Sequence, residues 1–127
     1  MPTGYLEHAN LTVSDPERSA ALLEKLCGWR ERWRGPSQLG GWTIHCGDDR
    51  AYVALWTDGR SEHGGAKDFA KGVPLNHVGL VVDDLDAAER IVVEAGLEPF
   101  NHADYEPGRR FYFFDWDHIE WEIVSYE

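Results

Sequence analysis

Two histidines and one glutamate have the residue types and the spacing to do chemistry. His8 lies in LEHANLTVSD (6–15) and His77 in LNHVGLVVDD (75–84). At an offset of 69 residues five of these ten positions are identical: Leu6/Leu75, His8/His77, Leu11/Leu80, Val13/Val82 and Asp15/Asp84. Chance gives roughly one match in such a window, so the chain carries an internal repeat. Glu122 lies near the end, in FYFFDWDHIEWEIV (111–124). Two imidazoles at one register of two repeats, joined by an inward carboxylate, make a ligand set for Fe(II), Mn(II), Ni(II), Zn(II) or Co(II). Such a set leaves coordination positions open for a substrate or for oxygen activation. The competing reading has His8 and His77 merely ending strands and Glu122 solvated at an edge. The symmetry of the pair favours the metal.

Strands and helices must bring these residues to one face. Segments 6–13 and 75–82 are rich in Leu, Val and Thr and end at turn residues, which predicts strands. Alternation puts His8, Asn10 and Thr12 on one face and Ala9, Leu11 and Val13 on the other. The second copy sets His77, Gly79 and Val81 against Val78, Leu80 and Val82. The apolar faces pack on helices, so both histidines look the opposite way. Ser14-Asp15-Pro16-Glu17 and Asp83-Asp84-Leu85-Asp86 open the helices, and Gly28 and Gly96 close them. Strand-like stretches follow near 29–34, 41–46 and 51–57, and again near 97–102, 109–115 and 119–125. The fold class is therefore α+β, a single domain of two βαβββ modules. Module one spans 5–58, a Gly-rich charged linker 59–74, and module two 75–127. Neither half is large enough to stand alone, so two halves, from one chain or two, share a sheet face.

Matching the turn Asp48-Asp49-Arg50 to Trp116-Asp117-His118 gives an offset of 68 for the last strands. Ala54 then falls opposite Glu122, and Leu55 opposite Ile123. Glu120, Glu122 and Val124 share the histidine face, and Trp121, Ile123 and Ser125 the helix face. The same repeat matches His45 to Phe113 on the helix side, which excludes His45 as a ligand.

Composition narrows the function classes. Net charge is −11, from 12 Lys and Arg against 23 Asp and Glu, a field that repels nucleic acid and anionic lipid. No apolar run approaches the ~20 residues of a membrane helix, and the N-terminus shows no secretory pattern. The two cysteines, Cys27 and Cys46, form no CxxC and read as free thiols of a reduced, cytoplasmic protein. Six Trp among 13% aromatic residues leave a surplus that can line a pocket.

The pattern resembles the vicinal oxygen chelate superfamily, which includes glyoxalase I, fosfomycin and bleomycin resistance proteins, methylmalonyl-CoA epimerase and type I extradiol dioxygenases. The resemblance rests on His8 in LEHANLTVSD, His77 in LNHVGLVVDDLDAA and Glu122 in FYFFDWDHIEWEIV, and covers nearly the whole chain. The last segment is similar to the family ending FxDPDGxxxEL, with Trp116 where Pro is usual and His118 where Gly is usual. The resemblance implies paired modules around an open barrel-like cleft, and two substrate oxygens bound to the metal. In short members one module from each of two chains builds the cleft. It thus implies a homodimer acting on a small-molecule substrate.

The lyase and the epimerase of that family carry a fourth ligand, Glu or Gln, where this chain has Ala54. A methyl group neither ligates nor accepts a proton, which disfavours glyoxalase, isomerase and epimerase chemistry. Extradiol dioxygenases use His-His-Glu alone. By that resemblance Tyr112, ten residues before Glu122, and His102, upstream, take the catalytic roles, and Fe(II) or Mn(II) is favoured over Ni(II) or Zn(II). The first reading is thus a divalent-metal enzyme, of the ring-cleaving dioxygenase type. The alternatives are a glyoxalase-type lyase and a non-catalytic binding or drug-resistance protein.

Charged residues complete the reading. Arg30, Arg32 and Arg34 alternate with Glu31 and Trp33, which places the three arginines on one strand face, a charged edge. Arg109-Arg110 could dock a substrate carboxylate, with plain surface charge as the default.

Overall fold

A computed structural model describes residues 3–37, 40–59, 75–105 and 108–127. The chain divides into two compact units, Met1–His63 and Gly64–Glu127. Most of the expected linker 59–74 lies outside the described residues. The first unit runs β1 (His8–Thr12), α1 (Pro16–Cys27), β2 (Arg30–Pro36), β3 (Trp42–Gly47) and β4 (Tyr52–Thr57). The second runs β5 (Val78–Val81), α2 (Leu85–Glu94), β6 (Phe100–Tyr105), β7 (Gly108–Phe114) and β8 (Glu120–Ser125). Each unit has an open four-stranded sheet, β1-β4-β3-β2 in one and β5-β8-β7-β6 in the other. In both, the first strand lies parallel to the last, and the other neighbours are antiparallel.

Both helices start and stop where the sequence dictates. Asp15 accepts a hydrogen bond from the Arg18 N–H at 3.1 Å, and Pro16 fills the first turn, where its missing N–H costs nothing. Gly28 ends α1 in the left-handed region at φ 67°, and its N–H donates to the Glu24 carbonyl. Asp84 accepts from the Ala87 N–H at 3.0 Å and starts α2 in the same way. Helix α1 buries Ala20, Leu22, Leu23 and Leu26 and packs on β3 and β4, where Ile44 and Leu55 are fully buried. Helix α2 packs on β7 and β8, over Phe111, Phe113, Trp121 and Ile123. The opposite face of each sheet carries a histidine at the start of its first strand, His8 in β1 and His77 just before β5.

The structure moves three boundaries or faces from their expected places. β6 begins at Phe100 rather than 97, because α2 closes with a longer turn. There the Leu97 N–H donates to the Val92 carbonyl and the Gly96 N–H to the Val93 carbonyl, with Gly96 left-handed at φ 84°. The arginines of β2 do not share a face. A bulge between Glu31 and Trp33 resets the alternation. Arg32 lies over the Tyr52 ring at 4.6 Å, whereas Arg34 reaches Glu17 of α1 at 2.7 Å. His45 pairs with Ala54 on β4, as Tyr112 pairs with Glu122 on β8, so His45 matches Tyr112 and not Phe113. The β7–β8 turn, 115–119, is one residue longer than the β3–β4 turn, 48–51. An alignment carried through the turns at constant offset therefore slips by one and reverses the face.

The longer turn also accounts for an unusual residue. His118 adopts φ 62°, a left-handed conformation that costs an L-residue about 1 kcal/mol and glycine little. His118→Gly should therefore raise the unfolding free energy by roughly 0.5–1 kcal/mol, read from urea midpoints at unchanged slope. An unchanged or lower midpoint would show that the imidazole makes a compensating contact.

Candidate metal centre

In the second unit β5 and β8 run side by side with Gly79 opposite Glu122. This register brings His77, just before β5, to Glu122. The His77 Nε2 atom lies 3.0 Å from Glu122 Oε1. The other ring nitrogen, Nδ1, lies 2.6 Å from Asn76 Oδ1. An amide oxygen only accepts, so Nδ1 carries a proton there and Nε2 is the ring nitrogen turned to the carboxylate. Nε2 and a carboxylate oxygen at this distance are bridged by a cation, a proton or a metal ion. Arg110 on β7 donates from Nη1 to the other carboxylate oxygen, Oε2, at 2.8 Å. Tyr112 lies directly across from Glu122 and meets the His77 ring edge-on at 5.7 Å. The Phe100 ring lies 6.1 Å from the Tyr112 ring. Glu120 shares this face and is almost wholly buried.

The first unit repeats the device. His8 Nδ1 pairs with Glu7 Oε1 at 2.8 Å, which again fixes the proton on Nδ1 and presents Nε2. An oxygen partner on the second ring nitrogen is what metal-ligating histidines regularly carry. The His8 ring stacks on Tyr52 at 4.9 Å, and His45 stacks on Tyr52 at 4.5 Å. Trp33 then packs at a tilt against His45 at 5.1 Å. His45 is held below the usual imidazole pKa range by burial, and then by the nearby charges of His8 and Arg32. It remains a neutral imidazole at neutral pH. Ala54, at the register equivalent to Glu122, is buried and contributes only a methyl group.

The structure thus brings His77, Glu122 and Tyr112 together in one unit and sets His8 on the matching face of the other. His102 is placed elsewhere. Its Nε2 atom pairs with Glu89 of α2 at 2.9 Å, and its ring lies over Phe111, on the helix side of the sheet. Among the described residues no group of three or more His, Cys, Asp and Glu is gathered as a metal site. Within the second unit the His77 imidazole and the Glu122 carboxylate, held by Asn76 and Arg110, suit a divalent ion, and His8 of the first unit carries the same kind of oxygen partner on Nδ1. Cys27 and Cys46 offer no competing ligand set, since burial pushes their thiols up to about 11 and about 12.

Sequence reasoning missed two residues of this face. His45 was hidden by the slip in the turn alignment, and the difference in turn length was the signal that could reveal it. Arg110 reads from sequence as surface charge, yet its side chain is only 13% exposed. Its place two residues before Tyr112, on Tyr112's side of the strand, was the available signal.

The model of the Glyoxalase/Bleomycin resistance protein/Dioxygenase superfamily matches residues 5–123. The chain belongs to that superfamily. Its fold recurs in solved superfamily structures of low sequence identity. A glyoxylase/bleomycin resistance protein/dioxygenase domain from Frankia sp. EAN1pec superposes with a TM-score of 0.77 at 22% identity, covering 99% of this chain and 100% of that one. The fosfomycin resistance protein FosX from Mesorhizobium loti gives 0.69 at 24% identity, covering 98% and 93%. FosX from Listeria monocytogenes, complexed with Mn(II) and sulfate, gives 0.69 at 17% identity over the same shares of the two chains. No curated protein matches the chain by sequence. Among the described residues no helix is long and apolar enough to cross a membrane.

Proposed function

We propose that this superfamily member is a divalent-metal-dependent enzyme acting on a small metabolite that presents two adjacent oxygens. His8, His77 and Glu122 are its metal ligands, and His8 comes from the first unit of the same chain or of a second copy in a homodimer. The observation that carries this reading is the approach of His77 Nε2 to Glu122 Oε1, with the proton held on Nδ1 by Asn76. Fe(II) and Mn(II) are the preferred ions. The fold shared with an Mn(II)-complexed FosX supports Mn(II), the resemblance to extradiol dioxygenases adds Fe(II), and Ni(II) and Zn(II) suit the same donors.

When bound, the ion supplies Lewis acidity to the chelated oxygens. The protein's own groups do the rest. Tyr112 offers a phenol beside Glu122, able to donate to a substrate oxygen. His45 offers a neutral imidazole on the His8 face, able to accept a proton. The ring stack of His8, Tyr52, His45 and Trp33 favours a planar substrate, and so favours a ring-cleaving dioxygenase as the second reading. His102, turned toward α2, leaves the base of that reaction to His45.

Metal linkage tests the proposal. Protein stripped with EDTA should melt several degrees higher once Mn(II) or Fe(II) is added at about 100 times its Kd, which corresponds to about 2.7 kcal/mol. No shift with Mn(II), Fe(II), Ni(II) or Zn(II) would overturn it. Oxygen uptake on adding catechol to the Fe(II)-loaded protein would single out the dioxygenase.

A further inference from the structure

We propose that Arg110 is a positioning residue that restricts Glu122 to a single oxygen toward the metal and so keeps an additional coordination position open. The inference rests on the metal reading above. Arg110 and Glu122 stand on adjacent strands, with Arg110 opposite Val124 and Tyr112 opposite Glu122, a diagonal pair on one face. Both side chains are 13% exposed, so water and salt screen their 2.8 Å contact weakly. The guanidinium engages Oε2 while Oε1 turns to His77. The two oxygens of one carboxylate therefore have separate tasks. For Glu122 to chelate through both, the charge-assisted bond to Arg110 must break in a partly buried place. A persistent cation suits this task, and the guanidinium stays charged at any working pH.

The consequence is countable. A roughly octahedral ion held by two imidazoles and one carboxylate oxygen would keep about three positions open, and one held by both carboxylate oxygens about two. Two adjacent substrate oxygens fill two positions. The additional one, available for water, would exist only while Glu122 binds through a single oxygen.

Water-proton relaxation of the Mn(II)-loaded full chain measures the open positions directly, through the bound waters that exchange there. Arg110→Met should lower the relaxivity at saturating Mn(II) by about one third, and Arg110→Lys should restore it. Unchanged relaxivity in Arg110→Met, with the ion bound, would overturn the inference and leave the metal reading intact. A wild type that takes up no Mn(II) would overturn the metal reading and this inference with it. Should Arg110→Met lose the ion altogether, Arg110→Lys decides. Recovery at wild-type relaxivity supports the role, and failure to recover in a variant with native circular dichroism overturns it.

Discussion

His77→Ala and Glu122→Ala should each weaken Mn(II) binding by more than about 100-fold, measured by calorimetric titration. Loss of an outer partner of a metal ligand already costs 10–100-fold, and these changes remove a ligand itself. The two losses should not add. Without His77, Glu122 retains its 2.8 Å bond to Arg110 and becomes half of a plain ion pair. Without Glu122, His77 retains Asn76 but faces no carboxylate. His8→Ala should behave alike, because its Nδ1 partner Glu7 prepares the same nitrogen for the ion. Tyr112→Phe, which removes only the phenol oxygen, should leave Mn(II) affinity within about threefold, since no ligand changes. Equal affinity in His77→Ala and wild type would remove His77 from the site.

Asp115→Ala should lower the unfolding free energy by about 3 kcal/mol, in a urea titration at neutral pH. Asp115 is the buried hub of the β7–β8 turn. Its Oδ1 accepts from the Asp117 and Ile119 N–H groups at 2.8 and 3.0 Å, and its Oδ2 from the Trp121 indole at 3.0 Å. Alanine would leave three donors in or near the core without that acceptor. The effect would extend past stability. This turn sets the register of β8, so its loosening reaches Glu122 by way of Trp121. Burial pushes the Asp115 carboxyl above its usual range, against the pull of those three donors. Its ionisation therefore opposes folding, and any stability linked to its protonated form is lost as pH rises through the raised value. A loss below about 1 kcal/mol in Asp115→Ala would mean that water replaces the carboxylate, and that the turn is held by its backbone bonds alone.

The repeat made most of the architecture legible. Asp15 and Asp84 mark the helix starts, Gly28 and Gly96 stand past the ends, and alternation from His8 to Val13 separates the faces. These are local signals with a local physical cause, a cap or a pleat. The face of Glu122 was legible for the same reason, since Glu120, Trp121, Glu122 and Ile123 alternate polar and apolar directly after the buried turn. What failed was non-local. The face assigned to His45 depends on how many residues the turn after its strand holds, and one additional residue in 115–119 inverts the correspondence. The β2 arginines were misassigned because a bulge at Glu31/Trp33 leaves no mark in composition. His102 lies on the helix side, next to where β6 breaks register between Phe100 and Ala103, with Asn101 at φ 54°, and no local sequence signal marks that break. The departure of His118 from the family's glycine was visible as a letter, and its left-handed backbone gives the letter a physical meaning.

The most direct measurement is the metal content of the purified protein, by elemental analysis beside a His77→Ala, Glu122→Ala double variant. The account predicts a near-stoichiometric transition ion in the wild type, or on reconstitution with Fe(II) or Mn(II), and its loss from the variant. Equal metal in both proteins, or none in either after reconstitution with Fe(II), Mn(II), Ni(II) and Zn(II), would contradict it.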